Sequence, residues 1–158
     1  MAIHIFESNF PKLITISARH VGKYEECDAV WQKISAFSQE KNIMNQDTIV
    51  LGLCYDDPQT VKECRYDACV SLPNGLDPKV IDLPEGIIIK ILEEKKCIMA
   101  IHKGAYKDMF GFYTELYGDE VAKKYTIDLE KPAIEIYLNC AKSTSPENLL
   151  TQVFIPIK

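Results

Sequence analysis

A repeat at a separation of 82 residues constrains this chain more than any other feature. His20-Val21-Gly22-Lys23-Tyr24 returns as His102-Lys103-Gly104-Ala105-Tyr106, and at the same offset Trp31 falls on Tyr113, Ile34 on Leu116, Leu53 on Glu135 and Tyr55 on Tyr137. Near the end of each half, residues 68–73 resemble residues 151–156 after a one-residue slip, which a loop can absorb. Separate blocks that keep one register argue for an internal duplication, so one folding plan must serve both halves.

That plan is read from hydrophobic periodicity. Cys27, Val30, Trp31, Ile34 and Phe37 recur at three- and four-residue steps and predict a helix over 24–39. Met109, Phe110, Tyr113, Leu116 and Tyr117 predict a second helix over 106–117. Each helix is entered through His-x-Gly-x-Tyr, where glycine adopts backbone angles that a side chain resists, so the motif is first a strand-to-helix turn. β-type runs at 3–6 with 13–18, and at 87–92 with 97–101, precede the helices. Runs at 48–55 with 65–72, and at 133–139 with 150–156, follow them.

The expected fold is therefore α+β, with tandem duplicated strand-helix-strand modules, pseudo-two-fold symmetry and antiparallel sheets lining a central cleft. The expected division is one domain over 1–158: repeat one at about 1–73, a linker at 74–86 rich in proline, glycine and aspartate, and repeat two at about 87–158. One helix covers only one face of a module's sheet, and the sister module is the nearest cover for the other.

Composition removes several functions. With a net charge of −5 the chain lacks the basic footprint of a non-specific nucleic-acid binder. Its apolar runs are too short to span a membrane, and no basic segment followed by an apolar stretch opens the sequence, so a cytoplasmic protein is expected. The six cysteines form no CxxC pair and sit mostly in apolar runs, where a free thiol behaves as a small hydrophobe. His4, His20 and His102 are too scattered for a zinc site. No metal and no cofactor are expected.

Five blocks in order carry a family likeness: Tyr55-Asp56-Asp57-Pro58, residues 65–70, the second His-x-Gly-x-Tyr, residues 132–139 and residues 149–156. Together they resemble the GyrI-like small-molecule-binding domain, whose members include effector-binding domains of AraC-type and MerR-type regulators and stand-alone gyrase-inhibitor-like proteins. The resemblance implies a cleft that receives lipophilic, often cationic aromatic compounds. It begins within the first dozen or so residues, which implies a stand-alone form without an attached helix-turn-helix domain.

Glu135 is the leading site candidate. It stands in the run Ile134-Glu135-Ile136-Tyr137-Leu138, where strand alternation puts it on one face with Tyr137. A carboxylate desolvated among aromatic rings must raise its pKa, find a donor or attract a cation. The alternative is a solvated glutamate on an outer strand face. Trp31, Tyr106, Tyr113 and Tyr137 are the aromatic candidates for ligand contact, drawn from a set that also holds Tyr55, Tyr66 and Phe110, although rings at helical spacing also serve as core. Arg65 is read as a surface ion-pair partner of Asp67 or Asp56, of little energetic weight.

Three readings follow. The first is a sensor or sequestering protein for amphipathic cationic aromatic compounds, a multidrug-type site feeding transcription regulation. The second is a DNA gyrase inhibitor-like protein acting by contact with gyrase or another regulator. The third is a hydrolase of cyclopropane-bearing genotoxins with Glu135 as general base.

Overall fold

The computed structural model describes residues 3–158; Met1 and Ala2, which open the segment read for a leader and the first repeat, lie outside the described residues. In chain order the elements are β1 (Phe6–Phe10), β2 (Leu13–Gly22), α1 (Asp28–Glu40), β3 (Val50–Cys54), β4 (Cys64–Ser71), β5 (Ile88–Leu92), β6 (Lys95–Lys103), α2 (Met109–Leu116), α3 (Asp119–Ala122), β7 (Ala133–Tyr137) and β8 (Leu150–Pro156). This is an α+β protein whose strands pair antiparallel within each of its units. Two compact units result, one formed by residues 3–10 with Lys95–Lys158 and the other by Pro11–Glu94.

Both units follow one strand order. The Pro11–Glu94 unit runs β3-β4-β2-β5, and the other runs β7-β8-β6-β1. The opening strands are exchanged relative to the sequence reading: β1 pairs with β6, and β5 pairs with β2. Local chemistry explains this. A two-residue hairpin needs positive-φ residues such as Asn-Gly, whereas Pro11-Lys12 and Glu93-Glu94 occupy the two connections. Strand β1 also lies later than the expected 3–6 run. Its anchor is Phe10, 1% exposed, whose ring meets Phe154 edge-on at 5.3 Å.

The helices begin later than their periodicity suggests, because a 3-10 turn follows each His-x-Gly: Tyr24–Glu26 before α1 and Tyr106–Asp108 before α2. Gly22 and Gly104 have φ of 148° and 140°, angles that a Cβ disfavours. Within the first turn, His20 Nε2 donates to the Lys23 carbonyl over 2.7 Å, so this histidine holds the turn together.

Helix α1 buries Ile34 and Phe37 against Ile16, Ala18, Tyr66, Ala68 and Val70 of β2 and β4, with Cys27, Val30 and Trp31 packed at the margin. That is the predicted stripe. Truncating Ile34 to alanine removes burial and leaves a cavity, a loss of about 2–5 kcal/mol. In α2 the stripe is rotated by about one position. Met109, Phe112 and Leu116 are buried, while Phe110 and Tyr117 are exposed. A three-then-four step from Met109 reaches Phe112 and Leu116, and Phe110 lies about a quarter-turn away.

Ladder pairing also corrects the repeat register at the candidate site. Ala18 pairs with Ala68, and Ala68 with Gly52. Ala100, the counterpart of Ala18, pairs with Val153, and Val153 with Glu135. Gly52 rather than Leu53 is therefore the positional counterpart of Glu135. Against the 82-residue offset that relates Ala18 to Ala100, one residue is gained before β7 and two more between β7 and β8, so Val153 rather than Thr151 is the counterpart of Ala68 and the expected one-residue slip is a three-residue one.

Candidate functional site

Glu135 occupies the middle of β7, opposite Val153 of β8, and is 8% exposed. Alternation along β7 puts its side chain and that of Tyr137 on the same face, with Ile134 and Ile136 on the other. The α2 helix supplies the remaining partner. Tyr113 Oη donates to Glu135 Oε2 over 2.5 Å, and Tyr137 Oη donates to Oε1 over 2.7 Å. The solvated outer-face alternative for Glu135 is thereby excluded by its burial.

Two groups of rings form an aromatic wall around this carboxylate, joined by the hydroxyls of Tyr113 and Tyr137 on its two oxygens. Tyr106 meets Tyr137 edge-on with centroids 5.8 Å apart, and Tyr113 stacks on Tyr117 at 6.2 Å and 21°. Phe112 meets Tyr113 edge-on at 6.2 Å. The Tyr106 phenol is pushed up by burial and by the nearby Glu135 charge, so it stays protonated at neutral pH. Tyr117 was read from sequence only as a helix-stripe residue; its stacking on Tyr113 brings it into this wall.

Charge balance singles out the site. Among the described residues no salt bridge engages Glu135. Two phenols occupy two of the roughly four lone-pair positions of a carboxylate, which leaves capacity for a further donor or a cation. The other deeply buried carboxylate, Asp67 of β4, is treated differently. Arg19 binds it in bidentate fashion at 2.8 and 3.0 Å, Lys90 Nζ donates to Oδ2 at 2.5 Å, and Tyr55 Oη donates at 2.7 Å. Burial pushes the Asp67 carboxyl up, but these bonds more than offset it and hold the group below the ordinary aspartate value.

Sequence reasoning missed Arg19 and Lys90 in that cluster. Arg65 instead forms the exposed pair with Asp56, at 2.9 Å. Three cationic groups, from Arg19, Arg65 and Lys90, lie 4.8, 5.3 and 5.1 Å from the Tyr55 ring centre. Tyr55 is thus committed to an internal ion cluster.

Of the predicted ligand-contact residues, Glu135, Tyr137, Tyr113 and Tyr106 are brought together in one unit. Trp31 belongs to the Pro11–Glu94 unit, where its indole Nε1 donates to Tyr66 Oη at 3.2 Å at the edge of the α1 core. Among the described residues no group of three or more His, Cys, Asp or Glu side chains is placed to hold a metal ion, and no helix is long and apolar enough to cross a membrane.

The buried, aromatic-lined carboxylate is the candidate site of this α+β fold. The chain belongs to the GyrI-like small-molecule-binding domain family, whose model matches residues 5–158. No curated protein matches the sequence. Among solved structures the fold is similar to that of EcmrR in an EcmrR–DNA complex, with a TM-score of 0.81 and 15% identity over 98% of this chain. This chain spans 57% of the length of that EcmrR chain. It is similar also to a hydrolase from Listeria innocua (TM-score 0.70, 12% identity, 98% of this chain and 91% of that one). A third similar structure is SAV2435 bound to tetraphenylphosphonium (TM-score 0.68, 16% identity, 99% of this chain and 94% of that one). At these identities the likeness is one of fold.

Proposed function

We propose that this protein binds lipophilic aromatic cations, with Glu135 as the counter-charge and Tyr106, Tyr113 and Tyr137 as the aromatic contacts. The observation that carries the reading is the contrast between the two buried carboxylates: Asp67 has its cations built in, whereas Glu135 has only phenols. A ligand cation about 5 Å from Glu135 gains about 3 kcal/mol at an effective dielectric of about 20. Ring faces add cation–π attraction of about 0.5–2 kcal/mol. The similarity to SAV2435, whose ligand is a tetra-aryl cation, agrees with this ligand class. The binding event would then serve sensing or sequestration, and the likeness to EcmrR makes a link to transcription regulation the natural context.

A thermal-shift titration with tetraphenylphosphonium tests the reading. Ligand at 100 times its dissociation constant stabilises by about 2.7 kcal/mol. At about 2–4 °C per kcal/mol for a chain of this length, the midpoint should rise by roughly 5–11 °C. No shift at saturating concentrations, together with no binding by calorimetry, would reject it.

A second reading draws on the Listeria innocua hydrolase: Glu135 would act as general base on a bound electrophile, with the Tyr113 and Tyr137 hydroxyls beside it. Multiple turnovers of a strained-ring electrophile, abolished by Glu135→Gln, would favour it over stoichiometric binding.

A further inference from the structure

Next to Glu135, the same sheet face carries two polar atoms that the aromatic wall does not satisfy. Thr151 Oγ1 and His102 Nδ1 are buried and have no hydrogen-bond partner among the described residues. Thr151 is fully buried, and it pairs on one side with Tyr137 and on the other with His102. Tyr137, Thr151 and His102 therefore form one row across β7, β8 and β6. Glu135 and Val153 belong to the next row on the same face, since successive same-face residues are two positions apart. With strands about 4.8 Å apart and a rise of about 3.4 Å per residue, the Thr151 backbone lies about 8 Å from that of Glu135, and that of His102 about 12 Å.

Both atoms stand beside aromatic rings. The His102 ring meets Phe112 edge-on at 5.1 Å, and Tyr137, next to Thr151, meets Tyr106. Burial keeps His102 neutral at pH 7, since desolvation lowers its pKa, so one ring nitrogen carries a proton and the other accepts. An orphaned buried polar group costs about 1–3 kcal/mol, and native proteins keep few of them. Two on adjacent strands, in the row next to an uncompensated carboxylate, call for a partner that arrives from outside.

Building on the cation-site reading, we propose that Thr151 and His102 form a hydrogen-bonding subsite of the same site. It takes a polar substituent, such as an amine or hydroxyl, borne by the aromatic cation whose charge faces Glu135. The two orphaned atoms gain their bonds only in the bound state. The site thus distinguishes among cations by their hydrogen-bonding groups as well as by charge.

Two probes and two variants test this. Ethidium is an aromatic cation with two amino groups, and tetraphenylphosphonium has no hydrogen-bonding group. Thr151→Val removes the hydroxyl at nearly constant shape, and Thr151→Ser keeps it. The expected result is an ethidium affinity about fivefold lower or worse for Thr151→Val, retained in Thr151→Ser, with tetraphenylphosphonium affinity unchanged in both. The unliganded Thr151→Val protein should melt no lower than the parent, because the hydroxyl it lacks is unpaired there. Equal losses for both probes, no loss for either, or a lower melting point that reveals an internal Thr151–His102 bond would each overturn the subsite. Failure of the parent to bind either cation would instead overturn the cation-site reading, and the subsite with it.

Discussion

Replacing Asp67 by asparagine should destabilise this protein more than any other single charge removal. The Asp67 side chain is 3% exposed, against 25% for Lys90 and 43% for Arg19. Breaking a buried pair by removing one partner costs about 3–5 kcal/mol, because a desolvated charge is left behind. Only Lys90 is strongly affected in that way. Arg19 is solvated enough that its share approaches the surface value of about 0–1 kcal/mol, and asparagine still accepts one hydrogen bond. The net loss should be about 2–4 kcal/mol, or roughly 4–16 °C in the melting midpoint. Circular dichroism melts of Asp67→Asn, Lys90→Met, Arg19→Met and the paired double variants give the coupling energies. Asp67–Lys90 coupling should exceed Asp67–Arg19 coupling. A midpoint loss under about 2 °C, or the reverse order of couplings, would refute the reasoning.

Acid titration should show the same cluster: the folded pKa of Asp67 is depressed, so its contribution is present above the unfolded value and lost as pH falls through the folded one. Melting midpoints of the parent should therefore drop below about pH 4, and those of Asp67→Asn should drop less. His102 is depressed by burial, so the unfolded state binds its proton first, and stability should decline as pH falls below about 6.5; His102→Phe should flatten this limb between pH 7 and 5. Tyr113→Phe removes one of two donors to a buried carboxylate and should lower stability at pH 7 by about 1.5–3 kcal/mol in urea titrations, whereas Phe110→Leu on the exposed side of α2 should change it by less than about 0.5 kcal/mol.

Much of the candidate site was legible because it depends on short-range rules. Alternation within one strand put Glu135 beside Tyr137, and helical spacing put Tyr113 on α2 facing the sheet. What escaped depended on pairing between distant segments. Nothing local joins Lys90 to Asp67, 23 residues earlier, or Arg19 to Asp67, 48 residues later; β5 and β4 both flank β2, and that pairing carries the three side chains together. The exchange of β1 and β5 had the same origin, since it turns on hairpin turns that Pro11-Lys12 and Glu93-Glu94 do not form. Phase errors were smaller. A stripe containing both Phe110 and Tyr113 fits a helical period nearly as well as one containing Phe112, and only the burial of Phe112 decides between them. Trp31 lies on the predicted face of α1, but its indole bonds to Tyr66 at the core margin, a role that composition and spacing do not distinguish from ligand contact.

The central claim is that Glu135 supplies the charge that selects cations, and calorimetric titration of Glu135→Gln tests it most directly. Glutamine keeps the side chain's length and its contacts with the Tyr113 and Tyr137 hydroxyls while removing the charge. Tetraphenylphosphonium serves as the cationic probe and triphenylphosphine oxide as a neutral aromatic control. With a charge-assisted interaction of about 1.5–3 kcal/mol at stake, affinity for the cation should fall roughly tenfold to hundredfold, while affinity for the neutral compound changes by less than about threefold. Unchanged affinity for the cation, or equal losses for both compounds in a variant that still folds, would contradict the claim.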